Sequence, residues 1–278
     1  MRDLFTQPTI LSLFDHSGRW SQPYVEAGYN VARLDIKKGG DVRMIRADDH
    51  DNVVGILAAP PCTAFSVSGA QYWGAKDDDG TTADALSLVD AIYRLVAVFR
   101  PEFWVMENPV GRLKHYIGSP RMWFNPCDYG GHLSEDEVDA HAAELVRVYD
   151  LAPDVAESVA ANTYTKKTGL WGDFCPELRP APVDKVFVLK SAAASAGVRS
   201  DALNDVVAIA SGDWELREGA TVRVQNSVSN SQYSLVHFAT GGKSDRTKEL
   251  RSITPMGFAR AFFEANNPAN LERKVQPT

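Results

Sequence analysis

The sequence predicts an α/β fold built on a mostly parallel, Rossmann-like sheet, and three observations carry that expectation. Short apolar runs of strand length alternate with helix-period segments through the N-terminal half. Polar, chemistry-bearing residues follow directly on those runs, where open parallel sheets hold their ligands. The chain has 278 residues with 44% hydrophobic content, enough for one large core, or a core and a small second lobe.

Taken in order, Thr9 to Phe14 reads as a strand, and Gln22 to Ala27 as a short helix ended by Gly28. Asn30 to Leu34 is a second strand closed by Asp35, Asp41 to Ile45 a short element, and Val53 to Ala59 a buried strand. Asp84 is the expected cap of a helix whose apolar positions Leu86, Val89, Tyr93, Val96 and Phe99 recur at helical spacing. Arg100-Pro101 should end it before a strand over Phe103 to Met106. Further on, Glu135 to Tyr149 reads as an exposed helix and Lys185 to Leu189 as a strand. The stretch from Cys175 to Gly242, rich in Ser, Ala, Asn and Gly, reads as an irregular or β-rich lobe with short runs at Thr221 to Val224 and Tyr233 to Phe238. Pro255 to Asn266 returns to a helix with Phe258, Ala259, Phe262 and Phe263 on one side.

A net charge of -7 argues mildly against nucleic acid as a partner, because phosphate binding draws on Lys and Arg. Its distribution matters more than its sum. Acidic residues gather at Asp77-Asp78-Asp79 and Glu135-Asp136-Glu137, and basic ones at Lys37-Lys38, Arg43, Arg46, Lys166-Lys167 and Lys243 to Arg251. These basic stretches either meet on one DNA-facing surface or are scattered, solvated lysines and arginines. No membrane-spanning run and no signal core is evident, so a cytoplasmic protein, in a bacterium or a phage-infected host, is expected. Cys62, Cys127 and Cys175 are too few and too widely spaced for a disulfide framework and read as reduced thiols. Cys127, His132, His141 and Cys175 lack the paired short spacings of a zinc site, so no metal is expected.

Pro60-Pro61-Cys62-Thr63, with Phe65-Ser66, follows one apolar run, and Glu107-Asn108-Pro109 follows the next. Two prolines fix the backbone before the thiol and turn it out of the strand into a shaped loop. Phe65, Ser66, Ser68, Gly69 and Gly74 then describe a mobile segment able to close over a substrate. Cys62 is a nucleophile on this reading; an inert structural thiol is the other. Glu107, directly after Trp104-Val105-Met106, is either a partly desolvated acid or a carboxylate capping a turn with Asn108. Upstream, Phe14-Asp15-His16-Ser17-Gly18-Arg19-Trp20-Ser21 can present backbone N–H groups, and Asp35 stands where a ribose is gripped. A tight turn and an exposed strand-end aspartate would look the same.

At these residues the chain resembles the DNA cytosine-5 methyltransferases that use S-adenosylmethionine, most of all compact phage-encoded members. The match runs through Phe14 and Gly18, Asp35, Asp41, Pro60-Pro61-Cys62 with Phe65-Ser66, and Glu107-Asn108, in the family's order. Arg251-Ser252-Ile253-Thr254-Pro255 with Arg260-Ala261-Phe262 looks like its late motif. The likeness covers roughly residues 9 to 125 and the last 30. It implies a Rossmann-like methyltransferase sheet, Cys62 as nucleophile on cytosine carbon 6, Glu107 as proton partner of ring nitrogen 3, and a base flipped out of double-stranded DNA. Phe14, Asp15, Gly18, Trp20, Ser21, Asp35, Ile36, Asp41, Val42 and Pro60 would then line the S-adenosylmethionine site. Pro61, Phe65, Ser66, Ser68, Asn108 and Arg251 would meet the substrate. Lys166-Lys167 stands as the positional substitute for the family's Arg-x-Arg element.

Residues 1–174 are thus expected to form the catalytic, S-adenosylmethionine-binding domain, 175–248 a small target-recognition lobe, and 249–278 a helix docking back on the first. A monomer is expected. Two other functions stay open: a silent relative that binds DNA or cofactor, and a methyltransferase acting on RNA cytosine. A nicotinamide enzyme is disfavoured by the lack of a Gly-x-Gly-x-x-Gly turn.

Overall fold

The structure is a computed structural model and describes residues 7–185, 187–189, 206–208, 213–216, 221–223, 232–234, 236 and 245–270. Its chain divides into two compact units, residues 1–124, 167–179 and 259–278 in the first and 125–166 and 180–258 in the second.

The first unit is built on a six-stranded sheet. Its strands are β1 (Thr9–Leu13), β2 (Asn30–Leu34), β3 (Val53–Ala58), β4 (Phe103–Pro109), β5 (Met122–Phe124) and β6 (Thr168–Asp173), in the order β2-β1-β3-β4-β6-β5. Neighbours from β2 to β4 pair in parallel, and β6 runs against both β4 and β5. Every residue of β1 and β3 is buried, as in a central parallel strand covered on both faces. Helix α1 (Gln22–Glu26) joins β1 to β2, and α2 (Trp73–Asp78) and α3 (Thr81–Phe99) lie between β3 and β4.

Side chains of β4 alternate between two apolar layers. Trp104 meets Tyr93 of α3 edge-on, with ring centroids 5.4 Å apart. Phe103, on the other face, stacks on Tyr24 of α1 at 5.8 Å and meets Phe262 at 6.1 Å. Phe262 belongs to the C-terminal helix (Met256–Asn266), and it also packs on Trp20 and Phe174. Asn266, fully buried, receives the Cys175 backbone N–H at 2.6 Å and donates to the Cys175 carbonyl at 3.1 Å. This helix is therefore held within the first unit at Phe262, by aromatic packing, and at Asn266, by hydrogen bonds.

Several boundaries differ from the sequence expectation, each for a local reason. Strand β1 stops at Leu13 because Phe14 takes φ 62°. Helix α3 begins at Thr81, after Gly80 at φ 83°, so Asp84 sits in the first turn instead of capping it. There it pairs with Arg43 at 2.7 Å. Asp41 to Ile45 forms a 3-10 turn over Val42–Met44. Strand β4 runs on to Pro109 because β6 pairs with it through Thr168, which places Glu107 and Asn108 inside the ladder. Finally, the segment after Cys62 consists of 3-10 turns at Cys62–Ala64 and Val67–Tyr72 followed by α2.

Helix α4 (Lys114–Ile117) belongs to the first unit, and the second unit holds α5 (Glu135–Tyr149) and α6 (Pro153–Ala160). Ser134 and Glu137 cap α5 reciprocally: the Ser134 N–H donates to Glu137 at 2.9 Å, and the Glu137 N–H to Ser134 Oγ at 3.3 Å. His141 and Leu145 are its buried face. Strands β7 (Phe187–Leu189) and β11 (Gln232–Ser234) pair antiparallel, as do β8 (Val206–Ala208), β9 (Asp213–Leu216) and β10 (Thr221–Arg223) in the order β10-β9-β8. Helix α7 (Asp245–Ser252) precedes the C-terminal helix, α8. The basic stretch beginning at Lys243 lies partly outside the described residues, as do most of the residues between the β7 and β11 strands.

Candidate active site

Cys62 and Glu107 reach one edge of the sheet from adjacent strands. Ala58 and Met106 are register partners in β3 and β4, so the chain leaves β3 beside the place where Glu107 sits. Pro60 is buried and Pro61 is extended at φ -51° and ψ 124°, after which Cys62 opens a 3-10 turn. The Cys62 carbonyl receives the N–H groups of Phe65 at 2.9 Å and Ser66 at 2.8 Å, which curls the backbone around the partly buried thiol. Glu107 is 9% exposed, and its backbone faces Leu170 in β6. Asn108 is wholly buried and its Nδ2 donates to the Pro60 carbonyl at 3.0 Å. One amide thus ties the residue after the acid to the residue two before the thiol.

A second tie comes from the exit of β4. Ser66 and Gly111 form a bridge, the Val67 N–H donates to the Val110 carbonyl at 3.1 Å, and the Arg112 N–H to the Phe65 carbonyl at 2.9 Å. A Cβ at Gly111 would run into that same Phe65 carbonyl, so only glycine permits the approach. Phe65 is fully buried and meets Tyr116 edge-on at 6.1 Å, a core residue of the loop. Ser66 Oγ and Ser68 Oγ lie 2.9 Å apart at its outer side. Arg112, 7% exposed, donates from Nε to the Ala64 carbonyl at 2.9 Å, from Nη1 to Asp77 at 2.8 Å and from Nη2 to Thr82 Oγ1 at 2.7 Å.

The turn after β1 has its own organiser. Asp15, buried at 4% exposure, accepts from Ser12 Oγ, the Gly18 N–H and Ser21 Oγ, each at 2.8 Å, and from the Ser21 N–H at 3.3 Å. Gly18 takes φ 76° under the Arg33 guanidinium, which a Cβ would strike. Trp20 packs on Phe262 at 6.2 Å and is 1% exposed. Asp15 and Trp20 therefore shape the turn from beneath. At the end of β2, Asp35 Oδ1 accepts from the Lys37 N–H at 2.9 Å, while the neighbouring Ile36 is 71% exposed. Asp41 is bound by the Arg43 side chain, whose hydrogen bonds hold its carboxyl below the usual range, and Val42 is buried.

Lys166 and Lys167 have separate surroundings. Lys166 Nζ donates to the Arg251 carbonyl at 2.7 Å within the second unit. Lys167 Nζ lies 5.2 Å from the centre of the Trp123 ring, and its carbonyl receives the Val110 N–H at 2.9 Å, continuing the β4–β6 ladder. Cys127 differs from Cys62: it is buried, and burial, reinforced by Asp128, pushes its thiol up to about 11. Among the described residues no His, Cys, Asp and Glu group could hold a metal ion, and no helix is long and apolar enough to cross a membrane.

Residues 23–119 match the C-5 cytosine-specific DNA methylase family. The chain carries a C-5 cytosine-specific DNA methylase domain. The matched span takes in Asp35, Pro60, Cys62, Glu107 and Arg112. Among solved structures the chain is similar to a DNA modification methyltransferase encoded within an E. coli prophage, at 16% identity and a TM-score of 0.37, over 67% of this chain and 54% of that one. The match thus spans about half the length of that relative. It is also similar to the Entamoeba histolytica methyltransferase EhMeth, at 12% identity and a TM-score of 0.40, over 98% of this chain and all of the other. No curated protein matches.

In the methylase domain, the residue that sequence reasoning passed over is Arg112. Its signal was faint: one arginine after Gly111, closing the run that begins at Glu107, with an acidic cluster at Asp77 far upstream. Only the folded chain joins the two.

Proposed function

We propose that the methylase domain transfers a methyl group to carbon 5 of cytosine in DNA, with Cys62 as nucleophile and Glu107 as the acid. The observation that supports this most strongly is the family match over 23–119, with the domain's thiol and carboxylate brought to one sheet edge by β3 and β4 and linked through Asn108.

The residues at the ends of β1 and β2 fit a nucleoside cofactor such as S-adenosylmethionine. Asp35 Oδ2 accepts no hydrogen bond from the described residues and can take ribose hydroxyls, Ile36 offers an exposed apolar side chain for a base, and the Asp15-shaped turn lies beside them after β1. When bound there, S-adenosylmethionine supplies the methyl group. The Cys62 thiolate adds to carbon 6 of the ring, and Glu107 delivers a proton at nitrogen 3, so the electron pair moves to carbon 5 and makes it nucleophilic. Once carbon 5 carries the methyl group, solvent water takes the carbon 5 proton, the electron pair of that C–H bond forms the ring double bond and expels the Cys62 thiolate, and the nitrogen 3 proton returns to Glu107. A stacked base offers neither carbon 6 nor nitrogen 3, so the target cytosine has to leave the duplex. Residues 1–174 would carry this chemistry and 175–248 the choice of target. Lys166, Lys167 and Arg251 would then act near the nucleic acid, Lys167 from the end of β6 that faces Pro109.

The test is trapping on duplex DNA in which cytosine is replaced by 5-fluorocytosine. With S-adenosylmethionine present, a covalent adduct at Cys62 is expected by peptide mapping, Cys62→Ser should form none, and Glu107→Gln should slow it by a factor on the order of 100. A wild-type protein that forms no adduct on DNA, or forms one only on RNA, would overturn the assignment.

A further inference from the structure

We infer that Arg112 is the positioning residue of the Cys62 segment, a latch that fixes residues 62–82 against the exit of β4 and so sets where the thiol stands relative to Glu107. The inference concerns the same site as the proposed function and rests on that reading for its catalytic consequence.

Three features set Arg112 apart from an ordinary surface arginine. First, its guanidinium uses all three nitrogens on three separate parts of one segment: the Ala64 carbonyl in the turn opened by Cys62, Asp77 at the end of α2, and Thr82 in the first turn of α3. The planar fork of arginine suits this, whereas a lysine offers one point charge. Second, the arms are cross-linked, because Thr82 Oγ1 also donates to Asp77 Oδ1 at 2.6 Å, and the guanidinium lies 5.0 Å from the centre of the Trp73 ring, also in α2. Third, Arg112 is five residues past Glu107 on the same chain segment, with Gly111 already bridged to Ser66. Acid and latch therefore share one rigid support, and the nucleophile's turn is fastened to it at Ala64, Phe65 and Val67.

Lys76, which donates to the Thr63 carbonyl, adds a tie inside the segment but does not reach the β4 exit. Losing the arginine fork should consequently loosen the Cys62 turn without disturbing the sheet beneath it.

The decisive measurement is the rate at which iodoacetamide alkylates each cysteine of the intact chain, followed by mass spectrometry, in wild type and Arg112→Lys. Cys62 should react about tenfold faster in the variant, which corresponds to about 1.4 kcal/mol of lost closure. Cys127, buried in the other unit, should keep its rate; acceleration of Cys127 alongside Cys62 would mark general unfolding and overturn the inference. Methyl transfer should fall in kcat by a factor on the order of 10 to 100, with KM for the cofactor unchanged, as a misplaced nucleophile requires. A folded Arg112→Lys protein that alkylates Cys62 at the wild-type rate overturns the latch. Should Arg112→Lys not fold, the pair Asp77→Asn and Thr82→Val takes its place, and an unchanged Cys62 rate there overturns it equally. If the wild type transfers no methyl group, the proposed function fails, while the alkylation rates still decide the latch.

Discussion

The two loops at the sheet's functional edge are each held by one buried charged side chain, but they are held in opposite ways. Asp15 draws its partners from Ser12 to Ser21, all within six residues of itself. Arg112 reaches back to partners 30 to 48 positions away. The first loop can therefore take its shape as soon as its turn forms, and the second only when β4 lies beside β3. The cofactor-side turn is a local object, whereas the placement of Cys62 is a property of the whole sheet. Such a difference allows one loop to be weakened while the other keeps its geometry.

The largest effect expected along this line is that of Asp15→Ala. It removes the acceptor of two backbone N–H groups and three hydroxyls, and hydroxyls can turn elsewhere while the N–H groups cannot. Stranding the Gly18 and Ser21 N–H groups should cost about 2–4 kcal/mol, at about 1–3 for each fully buried donor, with the longer Ser21 bond at the low end. Urea titration measures this, and S-adenosylmethionine affinity should weaken with it. Alkylation of Cys62 under native conditions should not change. If Asp15→Ala accelerates Cys62 as Arg112→Lys does, the two loops are not independent and the comparison fails.

Thr82→Val comes next. The shape is kept, but Arg112 loses the acceptor of Nη2 and Asp77 loses a donor, so about 0.5–1 kcal/mol of the latch should go. Cys62 should alkylate faster than in wild type and slower than in Arg112→Lys, and cofactor affinity should stay constant. An effect on the cofactor with none on Cys62 would reverse the roles given to the two loops.

The same contrast explains what could be read from the chain before folding. The alternation of apolar runs carried the parallel sheet, because strands buried along their whole length, as β1 and β3 are, write themselves into consecutive apolar residues, and the partly exposed outer strand β2 has its expected bounds. Cys62 and Glu107 were legible because prolines and a strand end mark them locally. Strand β4 was read as ending at Met106, since its last residues are strand only through pairing with β6, which begins at Thr168. The segment after Cys62 looked mobile because serine and glycine are all it shows locally; its order comes from Arg112 and Gly111, beyond the reach of periodicity. Asp84 was the nearest capping residue to the helical pattern, but Gly80 with positive φ starts the helix a turn sooner and frees Asp84 to meet Arg43.

The smallest effect concerns acid. Asp77 is held below the usual carboxylate range first by the hydrogen bond from Arg112 and then by that from Thr82. Its folded pKa lies below its unfolded value, so its contribution is complete above the unfolded value, about 4, and is lost as pH falls through the depressed folded one. Nothing should loosen between pH 8 and 5. Below about pH 4 the Asp77 arm should weaken, and with it the orientation of the Thr82 hydroxyl that donates to Asp77, while the Nε bond to Ala64, which does not depend on that carboxylate, keeps the latch partly closed. Because Asp77 is half exposed, the change is small and should show only as faster amide exchange in peptides covering 62–82, corrected for intrinsic rates and compared with Asp77→Asn at the same pH. In that variant the acid-dependent step should be missing. An equal acid step with and without the carboxylate would mean that Arg112 holds the Cys62 segment through Ala64 and Thr82 alone, and that the acidic arm is incidental.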